Sequence, residues 1–156
     1  MNFISPTYGK VDEVFVKNFL VKTIKCSENH NYKVIVGTDS QNFHKTKMVL
    51  VVCLIDEGRG GRFFYNIEWL PKIKDLNTKI YTETQKSLNF AKELNEEFFR
   101  NEISQDVEIH VDIGKDGKTK NLIQGIIGWV HAEGFETVKI KDQSYVASTI
   151  ADKISK

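Results

Sequence analysis

Hydrophobic and polar positions follow two different periods along the first half of the chain. Residues 11–25 place apolar side chains at roughly helical spacing, with acidic residues in the first turn and lysines in the last, which predicts an amphipathic helix. Three apolar-rich runs follow at 32–40, 46–56 and 62–70, and each is typical of a strand. Because the connections between these runs are short, we predict an antiparallel three-stranded meander.

The second half of the chain alternates between helical and strand patterns. Helical periodicity predicts a long helix over 78–99, a helix over about 119–133 that Thr119 could cap, and a last helix over 143–154. Apolar runs at 107–113 and 136–140 predict two more strands. Since strand-helix-strand units favour parallel pairing, the sequence predicts an α/β fold with a mixed five-stranded sheet, in which three antiparallel strands precede the parallel additions and helices flank the sheet.

The length of the chain sets the domain organisation that we expect. A chain of 156 residues is long enough for one domain with a full core and short for two. We therefore predict a single domain over 1–156, in which residues 1–30 form an accessory segment with an extra N-terminal helix.

Composition narrows the class of protein and of partner. Hydrophobic residues make up 40% of the chain, charged residues 28%, and the formal net charge is +1. This is an ordinary globular composition. The near-zero net charge argues against a strongly basic protein that coats nucleic acid, but it allows a local basic groove. The two cysteines form neither a disulfide framework nor a zinc-ligand set. With no segment typical of a signal peptide or a membrane span, we expect a cytoplasmic protein without a membrane partner, whose oligomeric state stays open.

Two aspartates stand near the carboxyl ends of predicted strands. Asp39 ends one apolar run and Asp112 ends another. Aspartate often starts a turn at such a place, but a carboxylate beside an apolar strand is costly unless it is solvated, paired or bound to a metal. If the two strands are neighbours in one sheet, both carboxylates meet at one edge, which is a common way to hold a divalent cation such as Mg²⁺.

The order of elements after the first helix resembles the ribonuclease-H-like fold. Segments 5–10, 37–41, 110–114 and 117–120 also resemble an uncharacterised bacterial family of ribonuclease-H-like proteins, and this similarity covers nearly the whole chain. In that superfamily, catalytic carboxylates come from the first strand, the helix after the third strand, the end of the fourth strand and the final helix region. The resemblance implies a carboxylate site that binds Mg²⁺ or Mn²⁺. The matching positions are Asp39, Glu83, Asp112 and Asp142.

Two of these positions have alternative interpretations. Glu83 lies about 60–80° from the centre of the apolar face of its predicted helix, so we expect it at the boundary between core and solvent, either in the site or as a surface glutamate. Asp142 is either a ligand or the N-cap of the last helix. Asp152 competes as the fourth acid, but it lies opposite the apolar stripe of that helix, which predicts a solvated residue. Without Asp142 the site would have three carboxylates.

Basic residues offer candidate contacts to a substrate. Lys118 and Lys120 flank a predicted helix start, where backbone N–H groups and two ammonium groups would suit a phosphate; loop lysines that only aid solubility are the alternative. His110 shares a strand face with Asp112, and it is either a proton-transfer residue or a hydrogen-bonded structural histidine. His44, with Lys45 and Lys47, lies on the first predicted hairpin and either contacts phosphates or belongs to a solvated loop. A further basic rim would draw on residues that the sequence alone does not place on one face: Arg59, Arg62, Lys72 and Lys74.

Aromatic residues are concentrated in the third predicted strand. They are either core or an edge that a partner covers: Phe63, Phe64, Tyr65 and Trp69.

Three functional hypotheses follow. The first is a divalent-metal-dependent nuclease or related phosphodiester-cleaving enzyme that acts on RNA, DNA or a hybrid, with the carboxylates around one or two metal ions and the two lysines on the phosphate backbone. The second is a non-catalytic ribonuclease-H-like module that binds nucleic acid or a partner protein, since a fold alone does not fix a function. The third is a nucleotide phosphohydrolase on the same fold.

Overall fold

The structure is a computed structural model that describes residues 1–27, 29–115, 117–141, 143 and 146–156, the last range with the side chains of 147 and 148 excepted. Its strands are β1 (Asn2–Ser5), β2 (Gly9–Asp12), β3 (Tyr32–Asn42), β4 (Thr46–Asp56), β5 (Gly60–Leu70), β6 (Val107–His110) and β7 (Val138–Lys139). Its α-helices are α1 (Glu13–Cys26), α2 (Leu76–Arg100), α3 (Ile123–Ala132) and α4 (Ala151–Ser155).

All seven strands join one mixed sheet in the order β2-β1-β5-β4-β3-β6-β7. β3, β4 and β5 form the antiparallel meander that the short connections predict. β6 pairs parallel with β3, and β7 pairs parallel with β6. The α/β fold with a mixed sheet flanked by helices is therefore confirmed.

The sheet has two strands more than the sequence predicts, because the segment before α1 forms a hairpin. β1 and β2 have four residues each and pair antiparallel, and β1 meets β5 where Ile4 lies opposite Tyr65. The Ser5 hydroxyl closes the turn by accepting bonds from the N–H groups of Thr7 and Tyr8. Strands this short leave no alternating pattern long enough to recognise in a sequence.

Helices cover the two faces of the sheet unequally. The larger core lies between the sheet and α1, α2 and α3, and residues 1–30 contribute Phe3, Val16 and Leu20 to it. A smaller core on the opposite face joins β3 and β4 to Val146 and Ala151 near the C-terminus. Within the described ranges, no helix is both long and apolar enough to cross a membrane.

Two predicted helix starts differ from the observed ones. Thr119 makes no side-chain cap, since it precedes a 3₁₀ turn (Lys120–Leu122) and α3 begins only at Ile123. The last helix opens with a π-helical turn (Val146–Ile150) before α4. This turn packs closely on β3 at Gly37, where an added Cβ would come within 2.8 Å of the Val146 side chain, so only glycine leaves room for it.

Candidate active-site cleft

A cleft of about 290 Å³ lies at the carboxyl ends of β3 and β6. Its walls come from the end of β3, the first turns of α2 and the loops that follow β6 and β7. Charged residues of both signs line it: Asp39, Glu83, Asp112, Lys79, Lys118 and Lys141. A cleft that gathers titratable groups from separate segments is a candidate functional site.

A groove along α2 is larger, about 640 Å³, but its charges are satisfied. Glu68 pairs with Lys86, and Glu93 pairs with Lys17. Since paired surface charges are ordinary structural features, we place the candidate site in the smaller cleft.

The register of the sheet brings the two strand-end aspartates level with each other. β6 runs parallel to β3 with His110 beside Gly37, and Asp112 and Asp39 each lie two residues farther along. The two strands are therefore neighbours, as the sequence argument requires. Asp112 stays partly exposed after the end of β6, and its Oδ1 lies 3.9 Å from Lys141 Nζ.

Asp39 is almost fully buried, with 5% of the residue exposed. Ser155 of α4 donates a hydrogen bond from its hydroxyl to Asp39 Oδ2 at 3.0 Å. Burial and the neighbouring Asp112 carboxylate raise the pKa of Asp39 to about 7. The charged form of Asp39 is thus poorly stabilised by the protein itself and would gain from a cation in the cleft.

Glu83 is more deeply buried than the sequence predicts. It is 3% exposed rather than at the boundary between core and solvent, because α2 packs against β3. A hydrogen bond of 2.7 Å joins the two elements at Thr38 and Ser87. Ser40 donates to Glu83 Oε1 at 2.5 Å, whereas the buried Oε2 has no hydrogen-bond partner among the described residues. Burial, with the Asp39 and Asp112 charges, raises the pKa of Glu83 well above its usual range.

The structure does not test the fourth acid of the predicted set. Asp142 lies outside the described residues. Asp152 is partly exposed and pairs with Lys156 at 3.0 Å, as expected of a solvated residue. Among the described residues of the last helix, Ser155 reaches the site and bonds to Asp39, with a hydroxyl rather than a carboxylate.

The structure separates the two predicted phosphate-binding lysines. Lys118 lines the cleft, and Lys120 is exposed outside its lining. Sequence reasoning missed two other lysines of the lining, Lys79 and Lys141. Lys79 lies one helical turn before Glu83, which was a usable signal, whereas Lys141 depends on the short and weakly patterned β7.

His110 has the features of a structural histidine. It is buried, and its Nδ1 accepts a hydrogen bond from the Val146 N–H at 3.3 Å, which leaves the proton of the neutral ring on Nε2, an atom with no hydrogen-bond partner among the described residues. Burial, with smaller effects of Lys139 and Lys33, lowers the pKa of His110 to about 4. The hydrogen-bonded interpretation therefore fits better than proton transfer in the cleft.

The donor set of the cleft suits a hard divalent cation. Within the described residues, no three histidine, cysteine or acidic side chains are already arranged around one ion position. Mg²⁺, however, is usually held by one or two carboxylates, with waters and substrate phosphates completing its shell. Asp39 and Asp112, with the unpaired Glu83 Oε2 in the same cleft, match that requirement.

Comparison with known proteins agrees with this architecture. Residues 16–156 match the family described as ribonuclease H-like. The chain is 31% identical over 139 residues to the uncharacterized protein YkuK of Bacillus subtilis (strain 168), across 81% of this chain and 80% of that protein. No solved structure gives a significant match. The resemblance seen in the sequence segments is thereby confirmed.

Proposed function

The chain belongs to the ribonuclease H-like family, and from this premise we propose that its cleft cleaves phosphodiester bonds in nucleic acid with the help of Mg²⁺ or Mn²⁺. Family membership supports a nuclease-like or nucleic-acid-related module. The observation that carries the finer proposal is the meeting of three carboxylates in one cleft, two of which, Asp39 and Glu83, are buried and have raised pKa values.

This cluster is unfavourable without a cation. Burying a carboxylate costs free energy unless a partner compensates it, and two carboxylates in one site repel each other. Glu83 Oε2 has neither a hydrogen bond nor an ion pair from a described residue. Such uncompensated groups are typical of functional sites, where a bound ligand supplies what the protein leaves out.

Asp39 and Asp112 would hold the metal ion, with Glu83 beside them. A bound divalent ion lowers the pKa of a coordinated water and offsets the negative charge that develops on a phosphate during hydrolysis. The protein's own hydroxyls set the geometry, since Ser155 orients Asp39 and Ser40 orients Glu83.

The lysines of the cleft would bind the phosphate groups of the substrate. Lys79, Lys118 and Lys141 bring positive charge to the same opening as the carboxylates. They suit the phosphate groups of a nucleic-acid backbone, which carry most of the affinity in such complexes. The proposed partner is therefore RNA, DNA or a hybrid.

A non-catalytic binding module is the second candidate. One observation favours it: among the described residues, no three ligands are preformed around one metal position. In that case the cleft would bind nucleic acid through its lysines, and the carboxylates would play no part in chemistry.

Cleavage of a labelled nucleic-acid panel tests the proposal. The panel contains single-stranded RNA, single-stranded DNA, an RNA–DNA hybrid, duplexes and a four-way junction, in Mg²⁺ and in Mn²⁺, with free nucleoside triphosphates as a further arm. The test variant is Asp39→Asn. The matched control is Asp56→Asn, which neutralises a carboxylate at the opposite end of the sheet, where it pairs with His30.

We expect metal-dependent cleavage by the wild type and by Asp56→Asn, and none by Asp39→Asn. Retained cleavage in Asp39→Asn would contradict the assignment of the site. Binding of nucleic acid without cleavage in either metal would favour the second candidate, and hydrolysis of nucleotides alone would favour a phosphohydrolase.

A further inference from the structure

Two aromatic side chains are exposed side by side at the cleft end of the sheet. Phe43 lies in the turn between β3 and β4 and is 45% exposed, and Trp69 lies near the end of β5 and is 52% exposed. Their ring centroids are 5.9 Å apart. Large apolar groups that stay together in solvent are a common mark of an interaction surface.

The aromatic pair lies at the same end of the sheet as the cleft, outside the cleft's own lining. Phe43 follows Asp39 by four residues, a span of about 13 Å in an extended strand. Trp69 pairs with Lys47 on β4, and Lys47 pairs with Gln41 on β3. Since residues two apart in a strand share a face, Trp69 lies on the same face of the sheet as Asp39. The end of α4 lies on this face between them, since Lys47 donates to the Ile154 carbonyl and Ser155 donates to Asp39.

A basic loop is fastened to this turn. Asn42 donates a side-chain hydrogen bond to the carbonyl of Ile73 at 2.9 Å, and the Ile73 N–H bonds to the Thr46 hydroxyl, also at 2.9 Å. Lys72 and Lys74 flank Ile73 in the sequence, so these two bonds hold both lysines beside the turn. The loop then enters α2, whose first turns line the cleft.

The structure thus divides the predicted basic rim between the two ends of the sheet. Lys72 and Lys74 join His44 and Lys45 at the cleft end. Arg59 and Arg62 lie in or next to the turn between β4 and β5, at the far end.

The positive charges at the cleft end are available to a ligand. Lys45, Lys72 and Lys74 are exposed, and none of them forms an ion pair with an acid in the described part of the chain. The acidic residue of the same loop, Asp75, accepts hydrogen bonds from Thr78 as the cap of α2. Aromatic faces beside uncompensated lysines are complementary to stacked bases and phosphates.

We propose that Phe43 and Trp69, with Lys45, Lys72 and Lys74, form a platform that binds an unpaired strand of nucleic acid and leads it to the cleft. This inference rests on the proposed function and names its substrate as single-stranded or locally unpaired. An unpaired strand offers base faces on which aromatic side chains stack, and its backbone follows the lysines. A duplex keeps its base faces inside the helix and offers the aromatic pair nothing to stack on.

Tryptophan fluorescence reports directly on the platform. The chain has two tryptophans, so a Trp129→Phe variant leaves Trp69 as the sole reporter. Titration with unlabelled oligothymidylate in EDTA measures binding without cleavage. We expect quenching of Trp69 by the single strand, and little change with a duplex of the same length at the same nucleotide concentration.

Paired substitutions separate stacking from charge. Removing both aromatics in Phe43→Ala/Trp69→Ala should weaken binding of a labelled oligothymidylate about tenfold to a hundredfold and leave the slope of log K against log salt unchanged. Lys72→Ala/Lys74→Ala should reduce that slope by roughly 1.4, since each phosphate contact of a single strand contributes about 0.7.

Matched controls remove the same chemistry elsewhere. Phe99→Ala deletes an aromatic side chain that is 85% exposed near the far end of α2. Lys22→Ala/Lys25→Ala removes two exposed positive charges from α1. Both controls should bind like the wild type.

The platform would be refuted by equal binding in the aromatic double variant and in Phe99→Ala, by the absence of Trp69 quenching, or by a preference for the duplex. Capture of a protein instead of nucleic acid at this surface would also refute it. These outcomes are independent of the cleavage assay, because binding is measured in EDTA. Binding without any cleavage would remove the proposed function and leave the platform standing.

Discussion

The two ends of the central sheet carry carboxylates in opposite circumstances. At the far end, where β3 begins, Asp56 pairs with His30 at 2.7 Å. Glu57 pairs with Lys33 at 3.1 Å and accepts a bond from the Asn31 amide at 2.7 Å. At the cleft end, Asp39 and Glu83 are more deeply buried, burial and neighbouring carboxylates raise their pKa values, and one Glu83 oxygen has no hydrogen bond from a described residue.

The difference shows which carboxylates serve the fold. Partly exposed pairs such as those at the far end cost little and stabilise a little. A buried cluster without enough positive charge destabilises the folded chain, so stability does not explain it. We infer that the cleft end is arranged for a ligand that brings positive charge, and the following substitutions test that contrast.

The largest expected effect is on catalysis. Asp112→Asn should reduce the cleavage rate by more than about a hundredfold, because even partners outside the direct ligand set change metal affinity or activity by 10- to 100-fold. Asp56→Asn should cleave at the wild-type rate. Initial rates on the best substrate of the panel measure both, and equal rates for the two variants would contradict the contrast between the ends.

The next effect is a dependence of metal-free stability on pH. The pKa of Asp39 rises from 3.8 to about 7 on folding, so between these values the folded state binds more protons than the unfolded state. The contribution of Asp39 to the free energy of unfolding is therefore fully present below about pH 4. It falls by roughly 2–4 kcal/mol as pH rises towards 7. Glu83 contributes with the same sign.

Urea unfolding in EDTA across this pH range measures that dependence. Asp39→Asn should reduce it to the part that Glu83 contributes, whereas Asp56→Asn should leave it in place. A wild-type stability that rises steadily from pH 4 to 7 would contradict the raised pKa values.

A smaller effect concerns the unpaired glutamate. Glu83→Gln keeps an acceptor for the Ser40 hydroxyl and removes the buried charge, so it should stabilise the metal-free protein at pH 8 by ~1–2 kcal/mol. This corresponds to a rise of about 3–8 °C in Tm, while cleavage is lost. Asp56→Asn should instead lower stability slightly, and a drop in Tm for Glu83→Gln measured by calorimetry would argue against an uncompensated charge.

The smallest effect comes from the hydroxyl that orients Asp39. Ser155→Ala removes a hydrogen bond that lowers the pKa of Asp39, so the pH profile of cleavage should move to higher pH, with a rate at neutral pH about tenfold lower. Lys153→Ala on the same helix is the control. An unshifted profile would mean that Ser155 only anchors α4.

Sequence patterns predicted the parts of the site that lie in long, regular elements. Asp39 and Asp112 follow apolar runs, but the sequence left open whether these runs are neighbours, and only the parallel pairing of β3 with β6 places them side by side. The resemblance predicted Glu83 as a site residue. Its deep burial was not predicted, because helical periodicity describes the faces of one helix and not the strand against which that helix packs.

The residues that sequence reasoning missed depend on distant contacts. Ser155 lies 116 positions from Asp39, and Lys141 reaches the cleft from the end of a two-residue strand. The Phe43–Trp69 pair forms only through the register of three strands. No local sequence pattern encodes contacts between such distant residues. The prediction for Asp142 falls outside the described residues and stays a prediction.

Calorimetric titration with Mn²⁺ and with Mg²⁺ tests the central claim most directly. The account predicts that the wild type and Asp56→Asn bind the ion with heat that Asp39→Asn no longer shows, and that the ion raises the Tm of the first two proteins only. Equal binding by Asp39→Asn, or no binding by the wild type, would contradict the claim that the cleft carboxylates hold a divalent metal ion.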